Sequence, residues 1–139
     1  MKVFSTVLIF TILSLSSSML NAQQDNVTKE CAEFISQEYI SDGQAYWALL
    51  TKDDVAEFQT TLFGGNTYRV AACSATKVAV IFKILDQEKN ELFSSNDFGN
   101  VPYWDFIVEG TLTVTIEATL DKTRNTDSGH AVLLIGFKK

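Results

Sequence analysis

The chain has 139 residues with 11 basic and 17 acidic side chains, so its formal net charge at pH 7 is −6. That sign argues against nucleic acid and anionic membrane surfaces as partners, because both are recognised by basic patches. The single proline and the hydrophobic fraction of 46% exclude a disordered tail or a low-complexity stalk.

The first 22 residues are typical of a secretory signal peptide. Lys2 is the only charged residue before Asp25, and residues 3–20 are apolar with interspersed serine and threonine. Ala22 offers a small residue at the cleavage position. The most apolar part, residues 7–15, is far shorter than the ~20 residues of a spanning helix. We expect cleavage after Ala22, a secreted or periplasmic location, and no membrane insertion of the cleaved protein.

Cys31 and Cys73 are the only cysteines. An exported chain meets an oxidising compartment, so one intrachain disulfide between them is the expected state. Two thiols and one distant histidine make a poor zinc ligand set. A pair of free buried thiols is the other alternative.

The segment 23–43 is predicted to hold an N-terminal arm and one short amphipathic helix. Apolar residues recur at helical spacing over about 28–38, with charged residues between them. The Ser-Asp-Gly sequence at 41–43 then marks a turn. A disulfide from Cys31 would attach this helix to the strand that ends at Cys73.

Residues 44–139 repeat an apolar alternation followed by a polar turn, which is typical of antiparallel strands. The predicted strands cover 44–50, 55–63, 67–72, 78–86, 91–95, 103–108, 112–120 and 130–137. The Gly64-Gly65-Asn66 sequence can supply the positive φ values of a tight reversal. Eight strands at this spacing predict an all-β domain, a jelly-roll-like two-sheet antiparallel sandwich with one short N-terminal helix. Jelly-roll and immunoglobulin-like strand orders share this alternation.

Three stretches of the sandwich region have a recognisable order. They are an apolar-x-Gly-x-Thr-Tyr turn at 63–68, a strand that ends at Asp86 before the polar turn 87–90, and a Gly110-Thr111 step after an aromatic strand. Over residues 44–137 this order resembles the bacterial pre-peptidase C-terminal (PPC-like) domain. The resemblance implies a small sandwich and a secreted setting. The chain also resembles short exported Bacteroidetes-type proteins of unknown role.

His130 is the one histidine, and an acid–base or nucleophilic mechanism would depend on it. Asp127 and Ser128 precede it closely, but the members of a catalytic triad meet in space rather than in sequence. The G-x-S-x-G elbow of a hydrolase is absent. A small hydrolase that uses His130 is therefore the least favoured function, and we predict no enzyme activity and no cofactor.

Acidic residues in the predicted loops could supply part of the six to eight oxygen ligands that calcium needs. The pair to test is Asp97 and Asp105, which bracket an aromatic loop. The D-x-D-x-D-G spacing of an EF-hand loop is absent. Solvated turn residues are the favoured interpretation, so no metal site is predicted.

Aromatic residues give the best indication of binding. Tyr46-Trp47 and Tyr103-Trp104 are adjacent pairs, so a strand must direct one ring of each pair inward and the other outward. Trp104 shares its face with apolar residues and is predicted to lie in the core, which places Tyr103 outside beside Asp105. Either Tyr46 or Trp47 is then exposed. The candidate ligand-binding residues are Tyr46, Trp47, Tyr103 and Asp105. The alternative is that the rings lie under a loop or the N-terminal helix.

The sequence names no ligand. The favoured function is a non-catalytic secreted or periplasmic module that binds an extracellular glycan, a peptide or an envelope protein. The alternative is a structural or assembly component that pairs with a neighbour through an edge strand.

Overall fold

A computed structural model describes residues 17–35, 38–75, 79–124 and 127–138, with side chains from residue 25 onward. Most of the predicted signal peptide lies outside these residues, as do residues 36–37 of the predicted helix, Val78 of the predicted strand 78–86, and the segments 76–77 and 125–126 between predicted strands. No helix in the described ranges has the length and apolarity needed to cross a membrane.

Within the described ranges, eight antiparallel strands form two facing four-stranded sheets. The strands are β1 (Ile40–Thr51), β2 (Ala56–Leu62), β3 (Asn66–Ser74), β4 (Val80–Leu85), β5 (Glu91–Ser94), β6 (Tyr103–Val108), β7 (Leu112–Leu120) and β8 (Ser128–Lys138). One sheet has the order β1-β8-β3-β6 and the other has the order β2-β7-β4-β5. This is the jelly-roll order, so the predicted fold class is confirmed and the immunoglobulin-like order is excluded.

The core lies between the two sheets and follows from the period-two alternation of the strands. On β4 and β7, alternate side chains from Val80 to Ile84 and from Val114 to Leu120 are buried, and Phe82, Val114 and Ile116 are among the most completely enclosed. The edge strand β2 alternates half-buried with exposed residues, as its sequence predicts. One face of each sheet therefore contributes to a common core.

The N-terminal helix differs from the prediction of a helix over about 28–38. Helix α1 (Ser17–Ala32) begins eleven residues earlier, because no glycine or proline interrupts that stretch. It ends earlier as well, in a single 3-10 turn at Glu33–Ile35. The carbonyl oxygen of Phe34 accepts a hydrogen bond from Arg69 Nη1 at 3.1 Å. This bond attaches the 3-10 turn to β3.

A second, smaller apolar cluster attaches α1 to the outer face of the β1-β8-β3-β6 sheet. The helical segment contributes Val27, Cys31 and Ile35, and the sheet contributes Ala71, Val132 and Leu134. The predicted disulfide is confirmed: Cys31 and Cys73 are bonded, with their Cα atoms 5.7 Å apart. The outer face of this sheet is therefore partly covered, whereas a sandwich sheet commonly leaves that face to water.

Three predicted turns take a different form in the structure. The stretch 41–43 is an irregularity inside β1, where Gly43 has φ +81° and Asp42 Oδ1 accepts a hydrogen bond from the Gln44 backbone nitrogen at 2.9 Å. Between β2 and β3 only Gly65 has a positive φ, +83°. The connection between the predicted strands 91–95 and 103–108 contains a 3-10 helix, Ser95–Phe98, that ends at Gly99 with φ +75°. Local side-chain hydrogen bonds and glycine positions decide these details.

Candidate binding surface

Arg69 and Asp105 form the most organised polar contact on the outer face of the β1-β8-β3-β6 sheet. They are register partners on β3 and β6. Arg69 Nε and Nη2 donate to the two Asp105 carboxylate oxygens at 2.6 and 2.8 Å. Both oxygens are thus occupied in a bidentate pair, the geometry in which guanidinium and carboxylate bind most strongly.

Two tyrosine rings enclose the Arg69 guanidinium. The guanidinium carbon, Arg69 Cζ, lies 4.4 Å from the ring centre of Tyr39 and 4.5 Å from that of Tyr103. Both distances are within the range of cation–π attraction. Phe34 contacts Tyr103 in turn, with ring centres 5.5 Å apart. The 3-10 turn, β3 and β6 therefore meet at one guanidinium, which holds the Tyr103 ring in a defined position.

The pKa values of this cluster follow from its contacts. Hydrogen bonds from Arg69 lower the pKa of Asp105 below its ordinary value, against the opposing effect of burial. The same carboxylate raises the pKa of Arg69. Burial, and then the neighbouring Asp105, raise the pKa of Tyr39. At neutral pH the cluster therefore holds a charged Arg69–Asp105 pair beside a neutral Tyr39.

A shallow groove of about 510 Å³ adjoins this cluster along Val101–Asp105. Trp104 points to the core side of β6, as predicted, and remains half-buried. Phe98 packs on it, with ring centres 4.5 Å apart, and is itself 51% exposed. On the outer side of β6, Tyr103 is 37% exposed and Ile107 is 83% exposed. We call the outward Tyr103, Asp105 and Ile107 side chains, together with this groove, the β6 surface.

The other two predicted ligand residues lie at the opposite edge of the same sheet. Tyr46 on β1 is half-buried against the main core, where its ring meets Phe58 edge-on and its hydroxyl donates to Asp42 Oδ2 at 3.5 Å. Trp47 points to the outer face but packs in the cluster beneath α1. The expectation that one of these two rings is exposed is therefore wrong, because α1 shields Trp47. Tyr46 and Trp47 do not form one surface with Tyr103 and Asp105.

His130 is a half-buried residue of β8 that faces the edge of Trp47, with ring centres 6.4 Å apart. Within the described residues no carboxylate hydrogen-bonds to its imidazole, and Asp127 uses its backbone carbonyl to accept from the Lys52 nitrogen at 3.0 Å. Among the described residues, the His130 imidazole thus has no carboxylate partner of the kind that orients a catalytic base.

The calcium pair is not assembled. Asp105 directs both oxygens to Arg69, and Asp97 belongs to the 3-10 helix after β5. Across the residues that the structure describes, no group of three potential metal-ligating side chains comes together. A guanidinium in this position competes directly with a cation for the carboxylate.

The sequence indicated Tyr103 and Asp105 but not the residues that hold them. Arg69 stands at an outward position of β3, which alternation alone identifies. Its pairing with Asp105 depends on the β3–β6 register, and Tyr39 contacts it from the segment just before β1. No local pattern encodes either relationship.

The comparisons with known proteins identify a fold. No family model matches the chain, and no curated protein matches it either. Among solved structures it is similar to PliG of Aeromonas hydrophila, described as a periplasmic lysozyme inhibitor of g-type lysozyme, with a TM-score of 0.54. The sequence identity is 11%, and the match covers 68% of this chain and 85% of that one. At this identity the likeness supports a β-sandwich in general, and the PPC-like resemblance stays a prediction.

Proposed function

We propose that this protein is an exported, non-catalytic module that binds a protein partner through the β6 surface. The observation that carries the proposal is the Arg69 cluster, which fixes an exposed Tyr103 beside an exposed Ile107 on an edge strand. Because the Tyr103 ring is already ordered, binding a partner costs less conformational entropy than it would if the ring had to be ordered on binding.

The chemistry of the β6 surface favours a protein over a glycan. Arg69 and Phe34 already contact the Tyr103 ring, so less of the flat face is available for a sugar to stack on. Ile107 adds an aliphatic side chain with almost no cover. A tyrosine at a groove and an exposed isoleucine farther along the same strand, with an ion pair between them, resemble the mixed aromatic and apolar centre of a protein interface.

Two further observations support the class of function. The disulfide fits an oxidising, exported setting. The structural neighbour, PliG, is described as a periplasmic inhibitor of an enzyme, which suits a sandwich that acts by binding. The arrangement around His130 gives the hydrolase alternative no support.

The test uses the protein expressed from the full chain with its own N-terminal segment. It is purified after export, in whatever processed form the cell produces. The immobilised protein is exposed to g-type lysozyme, and inhibition is measured by clearing of a bacterial cell-wall suspension. A polysaccharide pool is the parallel probe. The variant is Ile107→Lys, which places a charge on the β6 surface without touching the core, and Leu92→Lys on β5 is the control, because Leu92 is also exposed on an edge strand.

We expect the native chain and Leu92→Lys to bind the enzyme, and Ile107→Lys to bind it at least tenfold more weakly. Binding of the polysaccharide pool alone would replace a protein partner with a glycan. Equal binding by Ile107→Lys and the native chain would remove the β6 surface from the proposal. A folded native chain that retains neither probe would count against a lysozyme-type partner.

A further inference from the structure

Strand β1 is an edge strand of a kind that soluble proteins usually protect. It lies at the end of its sheet opposite β6. From Gly43 to Thr51 it contains no charged residue and no proline. The other described edge strands carry protection: β2 has the exposed Glu57, β5 is only four residues long, and β6 has Asp105. An uncharged, apolar edge is a template for pairing with another strand.

The hydrogen-bond register shows which backbone groups of β1 are free. The Lys52 nitrogen donates to the Asp127 carbonyl, so the hydrogen-bonded positions toward β8 are the even-numbered residues of this part of β1. The backbone groups of Ala45, Trp47 and Leu49 therefore point away from the sheet. Consistently, the Thr51 nitrogen finds its acceptor in the Asp54 carboxylate, at 2.8 Å, rather than in β8.

The same odd-numbered residues direct their side chains to the outer face, where a groove of about 410 Å³ lies between β1 and α1. Its lining comes from Asp25, Thr28, Lys29 and Ala32 on the helix, and from Ala45 and Trp47 on the strand. Leu49, two residues beyond Trp47, is 64% exposed. The edge thus presents a cavity above Ala45 and an unburied leucine four residues away.

We propose that this edge pairs with the β1 edge of a second copy of the chain, antiparallel and with the two-fold axis at Trp47. In this register Leu49 lies opposite Ala45 of the second copy and reaches the groove above it. On the inner face Tyr46 lies opposite Ala48 of the second copy. Leu49 and Tyr46 each then meet an alanine, while the two Trp47 residues lie opposite one another at the axis. The free backbone groups of Ala45, Trp47 and Leu49 are satisfied in both copies.

Charge complementarity supports a second copy as the occupant. Asp42 and Lys52 flank the uncharged stretch at its two ends, and both are exposed. Among the ion pairs of the described residues, neither side chain takes part. Antiparallel pairing about Trp47 brings Asp42 of one copy near Lys52 of the other at both ends. A parallel arrangement would bring like charges together, which disfavours it.

Sedimentation equilibrium of the exported full chain, over a wide range of protein concentration, tests the proposal. We expect a monomer–dimer equilibrium in the native chain. Leu49→Lys should weaken the dimer on the order of a hundredfold, because two leucine side chains lose their burial. Leu92→Lys is the matched control and should leave the equilibrium unchanged. Thermal unfolding of each variant confirms that it is folded.

A charge exchange tests the register. Asp42→Lys should weaken the dimer at low salt, and adding Lys52→Asp to the same chain should restore it. A native chain that is monomeric at every concentration overturns the proposal. So does a dimer that is unaffected by Leu49→Lys, or one that Leu92→Lys weakens equally. Because β1 and β6 are opposite edges, each of these outcomes leaves the proposed function of the β6 surface standing.

Discussion

Arg69 and Asp105 stand opposite one another on β3 and β6 and share two hydrogen bonds of 2.6 and 2.8 Å. Their side chains are 16% and 40% exposed, respectively, so the guanidinium is largely enclosed while the carboxylate stays partly in water. The pair joins an edge strand to the central part of its sheet, and through Phe34 to the N-terminal segment.

Arg69→Ala should lower the free energy of unfolding by about 2 kcal/mol, because it removes two charge-assisted hydrogen bonds and leaves the Phe34 carbonyl without its donor. Lys83→Ala breaks the more exposed Lys83–Glu91 pair and should cost less than about 1 kcal/mol. Urea unfolding of both variants makes the comparison. Equal losses would mean that the Arg69 cluster contributes no more than an ordinary surface pair.

Asp105→Asn should reduce stability at neutral pH, by an amount that shrinks in acid. The folded-state pKa of Asp105 is lowered, so its stabilisation is fully present above the unfolded value of about 4 and is lost as the pH falls through the folded pKa. The unfolding free energies of the native chain and the variant should therefore approach one another as the pH falls below about 4. The exposed Asp97→Asn is the control, and a constant gap between native and Asp105→Asn at every pH would contradict the expectation.

Replacing Cys31 and Cys73 together by serine should destabilise the protein by about 4 kcal/mol, less any native strain, on the chain-entropy model for a separation of 42 residues. The largest local loss of stability should be in α1, which the disulfide attaches to β3. Hydrogen exchange would show this as faster exchange in α1 than in β7 or β8. Unchanged protection of α1 would indicate that the apolar cluster beneath it suffices.

Gly64→Ala should be costly although Gly64 does not have a positive φ. An added Cβ would lie 2.5 Å from the Glu109 carbonyl oxygen and 3.1 Å from the Thr111 nitrogen, so backbone would have to move. We expect a loss of about 1–3 kcal/mol in thermal or urea unfolding. Gly110→Ala is the control: a Cβ there meets nothing within 4 Å, and the change should fall within about 0.5 kcal/mol. Similar losses in both variants would argue against the close approach at Gly64.

The alternation of apolar and polar residues predicts the eight strands and the two faces of each. Alternation is a local property, since successive side chains of a strand point to opposite sides, and it located β6 and β7 to the residue. It also placed Trp104 on the core side and Tyr103 outside. The disulfide followed from the cysteine count and the exported setting.

Which strands are neighbours depends on contacts between segments that are distant in sequence. β3 and β6 are far apart in the chain, and their register, which brings Arg69 to Asp105, depends on how the two sheets close over one core. The placement of α1 was also a tertiary result: it covers Trp47, which alternation alone would leave exposed. Periodicity encodes the face of a side chain, but what lies against that face is set by segments distant in sequence.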